Sequence, residues 1–269
     1  MAPGTQTLGT YTFGVHAFGC NLQIAADCLE TYSVLDRYVF PSMRRVDNAA
    51  SGADVLIRLV RVGDQFELLV DDAMTASAHT AMMLVPDLIR ALDENVIHHL
   101  GTMHAVHAGV VLLGERALLL PGATHAGKSS LVAELLRRGA TYFSDEYALI
   151  DSAGRVHPYP RPLLVRNGSP EQRPVLPTEY GASTGGASAA VGWILSLEYR
   201  PECIWNVAQV SQSEGFLILL RNTPHVLEDS PEMVGAFQRA VAGASCYAGR
   251  RAEAADAVEQ ILRLIGGFA

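Results

Sequence analysis

Gly122-Ala-Thr-His-Ala-Gly-Lys-Ser129 is the stretch of this sequence that decides its fold, because it fits the pattern G-x-x-x-x-G-K-S/T in full. Each fixed position has a physical role. The glycines let the backbone curl so that successive N–H groups point towards one centre and bind phosphate oxygens. In this pattern Lys128 reaches the terminal phosphates of a nucleotide, and the hydroxyl of Ser129 binds Mg²⁺. The stretch therefore predicts a phosphate-binding loop, or P-loop.

The residues around the loop have the pattern that a P-loop needs. An apolar run, Ala117–Leu120, predicts a buried strand directly before it, and Lys128–Arg138 predicts a helix directly after it. Gly139 is placed to end that helix. The positive end of the helix dipole favours bound phosphate. The residues predicted to bind the nucleotide are Gly122, Ala123, Thr124, His125, Ala126, Gly127, Lys128, Ser129 and Ser130.

An acidic pair follows the next strand along the chain. Asp145 and Glu146 follow Ser144, which comes directly after the β-rich run Thr141–Phe143. An isolated acidic pair is most often a solvated turn, but this position, shortly after the P-loop helix, favours a magnesium-binding or catalytic role. The predicted metal ligands are Ser129, Asp145 and Glu146. His104 and His107 precede the P-loop strand, and either one can set the protonation of a nearby carboxylate.

The chain before residue 101 has a different pattern. Two β-rich runs, residues 55–61 and 65–70, flank a short glycine-containing turn and predict a hairpin within a mostly β segment over residues 10–70. Residues 86–99 predict an amphipathic helix. We therefore expect an α/β protein with two parts, a small β-rich N-terminal module over residues 1–100 and a larger domain over residues 101–269.

The C-terminal part predicts further strands and helices and one long loop. Residues 167–189 are rich in Gly, Pro, Ser and Thr and show no apolar period, which indicates a functional or disordered loop. Arg161, Arg166 and Arg173 lie in or beside it, and one of them is a candidate cation for phosphoryl transfer, although a solvated loop arginine is the simpler interpretation of each. Strands are predicted at 191–199 and 203–210, and helices at 211–220, 231–244 and 252–265.

Composition excludes several classes of protein. The net charge of −8 argues against a general nucleic-acid binder, which needs a basic surface to neutralise phosphates. The four cysteines have no metal-ligand spacing and indicate free thiols in a reducing compartment. No stretch reaches the roughly 18 apolar residues that a membrane span requires. We therefore expect a cytoplasmic protein without a membrane or nucleic-acid partner.

In chain order, His107-Ala-Gly109, the P-loop and Ser144-Asp145-Glu146 resemble the catalytic domain of HPr serine kinase/phosphorylase. In that family a Met-His-Gly segment precedes the P-loop, and an Asp-Asp pair follows its helix. The resemblance covers about residues 101–151 and continues more loosely through Pro160–Pro162 and Ile194–Thr223. The looser part is similar to the shorter HPr-kinase-like proteins of peptide natural-product clusters, including lasso-peptide kinases. The resemblance implies a P-loop kinase domain of the HPr-kinase type.

The resemblance also implies a reaction and a set of roles. The reaction is ATP- and Mg²⁺-dependent transfer of a phosphoryl group to a hydroxyl, favouring a serine of a peptide or protein such as a lasso-type precursor. The implied catalytic residues are Lys128, which holds the triphosphate, Asp145, the general base, and His107, which hydrogen-bonds that Asp. Glu146 matches the magnesium-side carboxylate.

The sequence departs from the family at several positions, and alternatives stay open. Glu146 replaces the family's second Asp, Ser130 replaces a Glu, and His125 stands where the family has a small residue. The later Glu-x-Arg-Gly signature is absent, so HPr as the substrate and a phosphorylase activity are not expected. A kinase for a small-molecule hydroxyl and a non-catalytic nucleotide-binding regulatory protein are the alternatives. A homo-oligomer is also open.

Overall fold

The structure is a computed structural model that describes residues 11–39, 43–46, 52–123, 126–166, 171–224 and 231–266. Contacts within the chain divide it into two compact units, residues 1–101 and 102–269. Both units combine sheets with helices, which confirms the predicted α/β class. Among the described residues, no helix is both long enough and apolar enough to cross a membrane.

The first unit contains one six-stranded sheet, with the strand order β3-β1-β2-β4-β5-β6. Strands β2 and β4 pair in parallel, and the other neighbours pair antiparallel. The predicted hairpin is confirmed as β4 and β5, and the predicted helix as α2. The elements of this unit are β1 (Tyr11–Ala17), β2 (Cys20–Ala26), α1 (Leu29–Tyr38), β3 (Arg44–Val46), β4 (Val55–Val62), β5 (Gln65–Val70), β6 (Ala73–Ala78) and α2 (Val85–His98).

Residues 10–70 are mostly β, as predicted, but helix α1 gives the first unit a second helix where the sequence predicts only one. Its residues include Thr, Val and aromatic side chains, which favour strands when they are judged one by one. In the structure Val34, Leu35 and Tyr38 are buried along one face of the helix, so packing of that face overrides local preference. The hydroxyl of Thr31 accepts a hydrogen bond from the N–H of Cys28 at 3.2 Å and caps the helix N-terminus.

The second unit contains an eight-stranded sheet in the order β11-β10-β7-β8-β14-β16-β15, in which β9 also pairs with β7. Strands β8, β14 and β16 run parallel to one another. A separate two-stranded sheet joins β12 and β13. The elements are β7 (His104–Leu113), β8 (Arg116–Pro121), α3 (Lys128–Arg137), β9 (Thr141–Ser144), β10 (Tyr147–Ile150), β11 (Arg155–His157), β12 (Leu163–Val165), β13 (Arg173–Val175), β14 (Ala189–Tyr199), β15 (Asn206–Val210), α4 (Gln212–Arg221), α5 (Pro231–Ala242), β16 (Ser245–Arg251) and α6 (Ala254–Leu264).

Helices cover both faces of this sheet, and strand β8 shows how. Leu118 and Leu120 belong to a core that also contains residues of α3 and α6. Ala117 and Leu119 belong to a second core with residues of α4 and α5. Because successive strand residues point to opposite faces, a strand covered on both sides is a continuous apolar run. This explains why β8 was recognisable from sequence.

Residues 171–189 do not form the structureless loop that their composition predicts. They include β13 and a 3₁₀ turn at Pro177–Tyr180. The segment then pairs with strand β9: the N–H of Tyr142 donates to the carbonyl of Ser183 at 2.8 Å, and the N–H of Gly185 donates to the carbonyl of Tyr142 at 2.9 Å. Disorder is therefore the wrong alternative for these residues, because the segment bonds with backbone groups of a distant strand, and a functional loop stays a prediction. Residues 167–170 lie outside the described part of the chain.

Candidate functional site

The P-loop connects the end of β8 to the start of α3. The N–H of Gly122 donates to the carbonyl of His107 at 3.2 Å, and the N–H of Ala126 donates to the carbonyl of Ala123 at 3.1 Å. Gly127 has a φ of 77°, in the left-handed region, and α3 begins at the next residue. The loop therefore has the strand–loop–helix setting that the motif requires. Thr124 and His125, two of the predicted nucleotide-binding residues, lie outside the described residues.

Lys128 lies within the curl of this loop. Its ammonium donates to the carbonyls of Gly122 and Ala123 at 3.0 and 3.2 Å, and 6% of the side chain is exposed. Burial lowers the pKa of Lys128, although the charges of Glu146 and Asp145 oppose that shift. This is the only lysine in the sequence. The chain therefore has a single primary-amine side chain, and the fold holds it at the phosphate-binding motif.

Asp145 is fully buried beside the start of α3. The hydroxyl of Ser129 donates to its Oδ2 at 2.7 Å, and the hydroxyl of Tyr142 donates to its Oδ1 at 3.2 Å. The guanidinium of Arg161 also lies 3.3 Å from Oδ1. Both carboxylate oxygens of Asp145 are therefore engaged by neighbouring donors.

Glu146 is more accessible than Asp145, with 23% of its side chain exposed. Its Oε1 lies 3.3 Å from Nδ1 of His107 and 3.9 Å from Nζ of Lys128, and its Oε2 lies 3.7 Å from Arg161. Burial alone would raise the pKa of Glu146. The close contact with His107 and the charges of Lys128 and Arg161 outweigh burial, so the net pKa of Glu146 is below its ordinary value. Glu146 is therefore an ionised carboxylate at neutral pH.

His107 contacts Glu146 and not Asp145, which differs from the contact that the family resemblance implies. The register of β7 against β10 explains this contact. His107 lies opposite Tyr147, which follows Glu146 directly in the chain, so Glu146 lies beside His107. The rings of His107 and Tyr147 lie 4.7 Å apart. The second candidate, His104, packs edge-on against Phe237 at 6.2 Å. His104 is therefore part of the packing with α5.

A cavity of about 310 Å³ opens beside the P-loop. One side is formed by the start of α3, and another by the ends of the two strands β12 and β13. Ser130 and Glu146 line this cavity, whereas Asp145 does not. A nucleotide-binding role for Ser130 stays a prediction. The lining residues are Gly127, Lys128, Ser129, Ser130, Glu146, Leu164, Val165, Arg166 and Gln172.

Two arginines complete the site, and sequence reasoning singled out neither of them. Arg161 was one of three candidates. The structure buries it against Asp145 and Glu146, whereas Arg166 lines the cavity with an exposed side chain and Arg173 is exposed on β13. No motif in the sequence points to Arg251. Its Nη2 donates to the carbonyls of Ala126 and Gly127, both at 3.1 Å. The available signal for β16 was only that residues 245–251 lie between the helices predicted at 231–244 and 252–265.

The donor set at this site fits a magnesium ion that arrives with a nucleotide. A hydroxyl and two carboxylates, from Ser129, Asp145 and Glu146, are the hard oxygen ligands that Mg²⁺ prefers. Among the described residues, no group of three or more His, Cys, Asp or Glu side chains forms a dedicated metal cluster. Mg²⁺ in phosphoryl-transfer sites uses one or two protein carboxylates together with substrate phosphates. The residues present therefore suit Mg²⁺ bound to a triphosphate.

Comparison with known proteins adds no family assignment. No protein-family model matches the chain, and no curated protein matches it closely enough to count as a relative.

Proposed function

We propose that this chain is a magnesium- and ATP-dependent phosphotransferase of the HPr-kinase type, acting on a hydroxyl acceptor. The observation that carries the proposal is the hydrogen bond of Ser129 to Asp145 at 2.7 Å, with Glu146 beside it on the wall of the P-loop cavity. A loop suited to a triphosphate, a position suited to Mg²⁺ and a carboxylate facing open space are the three parts that phosphoryl transfer requires.

The triphosphate would bind at the loop amides and Lys128. The ammonium of Lys128 already lies at the loop and donates to two carbonyls, so phosphate oxygens would replace carbonyl oxygens as its acceptors. Bound Mg²⁺ would neutralise charge on the phosphates, held on the protein side by the hydroxyl of Ser129 and the carboxylate of Asp145. Arg161 places a second cation beside the two carboxylates.

The geometry supports the reverse of the carboxylate roles that the family resemblance implies. Asp145 is fully buried, and donors from Ser129, Tyr142 and Arg161 engage it, so an acceptor hydroxyl has no free path to it. Glu146 lines the cavity and is partly exposed. We therefore assign Asp145 to the magnesium side and Glu146 to the acceptor hydroxyl. His107 would orient Glu146 and keep it ionised.

A serine of a peptide is the acceptor that we favour, on the family resemblance alone. The cavity leads past the paired strands β12 and β13, whose ends contribute Arg166 and Gln172 to its wall. A kinase for a small-molecule hydroxyl would use the same P-loop and carboxylate residues, and it would differ only in the part of the cavity that binds the acceptor. Because ATP is the donor, we place the activity in the cytoplasm.

Transfer from γ-labelled ATP tests the proposal. The protein would be incubated with Mg²⁺ and labelled ATP, first with a library of serine-containing peptides and then with free amino acids and sugars. Glu146→Gln is the matched control, since it keeps the shape of the side chain and removes its charge. Label transfer that depends on Glu146 supports a kinase. ATP binding without transfer to any acceptor identifies a nucleotide-binding regulatory protein, and absence of ATP binding rejects the proposal.

A further inference from the structure

The side chain of Arg251 is almost fully buried, with 2% of it exposed. It ends strand β16, and its guanidinium lies 5.2 Å from the ring centre of Tyr199 on the neighbouring strand β14. Nη2 donates to the carbonyls of Ala126 and Gly127 at 3.1 Å each, and Nη1 donates to the carbonyl of Ala252 at 2.9 Å. One planar guanidinium is thus held between an aromatic ring and the outer side of the P-loop.

The two P-loop carbonyls matter because of the geometry of the peptide group. A trans peptide is planar, and its C=O and N–H point in opposite directions. Holding the carbonyl of Ala126 outwards therefore directs the N–H of Gly127 inwards, and holding the carbonyl of Gly127 does the same for the N–H of Lys128. Inward N–H groups of this kind are the ones that bind phosphate oxygens in a P-loop. Arg251 thus bears on two binding groups that it does not touch, and it shares the carbonyl of Gly127 with the N–H of Leu131, which donates to that carbonyl at 3.2 Å.

The charge of Arg251 also favours a link to phosphate binding. Its three hydrogen bonds to backbone end on neutral carbonyl oxygens, so they leave the positive charge of the guanidinium uncompensated. Burial lowers the pKa of Arg251, against a smaller opposing effect of Glu253. Burying a charged group is costly unless a partner offsets the cost. A triphosphate bound in the loop would add negative charge near the guanidinium.

Gly127 shows how closely the P-loop and the guanidinium of Arg251 pack together. A Cβ at residue 127 would lie 2.3 Å from Nη2 of Arg251, so a side chain there would displace the guanidinium. Its φ of 77° also requires glycine. The loop and the guanidinium therefore occupy adjoining space with no room between them.

We propose that Arg251 is a positioning residue that fixes the amides of Gly127 and Lys128 for phosphate binding. The proposal rests on the proposed function, because it concerns the same triphosphate site. It adds to the site a residue from strand β16, more than a hundred positions after the P-loop in the chain. Arg251 acts through the backbone of the loop and has no part in the transfer step itself.

Arg116 offers a matched control within the same sheet. Its Nη2 also donates to two carbonyls, those of Val191 and Gly243, and its guanidinium lies 5.8 Å from the ring centre of Trp193. It begins strand β8, whereas the P-loop follows the other end of that strand. Arg116→Met therefore removes the same kinds of contact at a distance from the loop. Arg116 is exposed whereas Arg251 is buried, so thermal unfolding of both variants is measured as well, and a loss of Mg-ATP binding is assigned to the loop where it exceeds the loss of stability.

The experiment compares Arg251→Met, Arg251→Lys and Arg116→Met with the unchanged protein. Calorimetry gives the affinity for Mg-ATP. Hydrogen exchange by NMR gives the opening of the loop without nucleotide, measured at the amides of Ala126 and Leu131, which donate to the carbonyls of Ala123 and Gly127 at 3.1 and 3.2 Å. Loss of charge-assisted hydrogen bonds to the loop should weaken Mg-ATP binding by about 10- to 100-fold in Arg251→Met. Arg251→Lys should be weakened less, because it keeps the charge but has one nitrogen for two carbonyls. Both amides should exchange faster in Arg251→Met, and neither measurement should change in Arg116→Met.

Unchanged Mg-ATP affinity in Arg251→Met, or an equal loss in Arg116→Met, would overturn the role of Arg251. If Arg251→Met does not fold, Arg251→Lys undergoes both measurements and the same criteria apply. If the unchanged protein binds no Mg-ATP, the proposed function fails. Amide exchange then decides the role of Arg251 alone: faster exchange in the variant supports it, and unchanged exchange rejects it.

Discussion

The hydroxyl of Ser129 donates to Oδ2 of Asp145 at 2.7 Å, which joins the first turn of α3 to the turn between β9 and β10. Sixteen positions separate the two residues in the chain. The bond places a hydroxyl and a carboxylate where a magnesium ion could be shared between them. It also commits Asp145 to the loop side of the site and leaves Glu146 as the carboxylate that faces the cavity.

Lys128→Ala should weaken Mg-ATP binding by an order of magnitude or more, because the motif places this cation against the terminal phosphates. Being the only lysine in the sequence, Lys128 also allows a direct measurement. An amine-reactive reagent followed by mass spectrometry should label Lys128 slowly in the nucleotide-free protein and more slowly still with Mg-ATP. AMP, which lacks the terminal phosphates, is the control and should protect weakly. Equal labelling with and without Mg-ATP would contradict the P-loop assignment.

Asp145→Asn and Glu146→Gln should affect different steps. Asp145→Asn removes charge beside Ser129, so it should raise the Mg²⁺ concentration needed for half-maximal activity. Glu146→Gln removes the base that faces the cavity and should lower turnover by roughly 10²- to 10⁴-fold with little change in Mg-ATP affinity. Single-turnover transfer over a range of Mg²⁺ concentrations separates the two. Our assignment is wrong if Asp145→Asn loses turnover at saturating Mg²⁺ and Glu146→Gln does not.

Arg161→Met should reduce turnover more than nucleotide affinity. Arg161 lies 3.3 Å from Asp145 and 3.7 Å from Glu146, so we expect its charge to stabilise the two carboxylates during the proposed transfer. Loss of one such electrostatic contact costs roughly 10²- to 10³-fold in turnover. Arg173→Met, an exposed arginine of strand β13, is the matched control and should behave like the unchanged protein. Steady-state kinetics distinguish the two variants, and equal behaviour would remove Arg161 from the mechanism.

Gly127→Ala should lose both stability and nucleotide binding, whereas Gly139→Ala should lose stability alone. Both glycines have a positive φ, 77° and 90°, where an alanine costs roughly 1–2 kcal/mol. Only at Gly127 would the new Cβ meet Arg251, at 2.3 Å, and nothing lies within 4 Å of a Cβ at Gly139. Thermal unfolding and Mg-ATP calorimetry on both variants test this. Retained binding in a folded Gly127→Ala protein would show that the loop tolerates the displaced guanidinium.

Asp151 should stabilise the fold in a pH-dependent way. It accepts hydrogen bonds from the N–H groups of Ala153 and Arg155 and contacts His157 at 2.7 Å. Burial alone would raise the pKa of Asp151, but these bonds hold it below the ordinary value of 3.8. The stabilisation is therefore full above about pH 4 and is lost as the pH falls through the lowered pKa.

Asp151→Ala should accordingly reduce the free energy of unfolding by about 1–3 kcal/mol at pH 7. The difference from the unchanged protein should shrink in acid. Urea unfolding at pH 7 and at successively lower pH gives the comparison, and Asp151→Asn controls for the two backbone bonds. A difference that grows in acid would contradict the direction of the pKa shift.

The P-loop and its flanking elements could be predicted because all their determinants are local. The glycines, the lysine and the apolar run of β8 are contiguous, and the helix that follows shows its own period. The acidic pair could be predicted for a similar reason, since it follows the next strand. Which carboxylate faces the cavity could not, because that depends on the register of β7 against β10, which the residues of the turn do not determine.

Arg251 and the segment 182–185 were missed because long-range pairing determines them. Arg251 reaches the loop only because β16 lies beside β14 in the sheet. Residues 182–185 have a loop composition and are ordered by backbone bonds with Tyr142, forty positions away. The burial of Arg161 likewise depends on a fold around Asp145 that its own neighbours, two prolines, do not predict.

The position of β16 also has a consequence for how the chain is made. β16 lies between β14 and β15 in the sheet, yet it is synthesised after both of them. Until it emerges from the ribosome, the edge of β14 that it covers is open and β15 lacks the strand with which it pairs. Open edges of this kind are prone to join other chains, and chains that fold late depend on chaperones. Synthesis of β16 after both of the strands it pairs with therefore makes the nascent second unit vulnerable to aggregation.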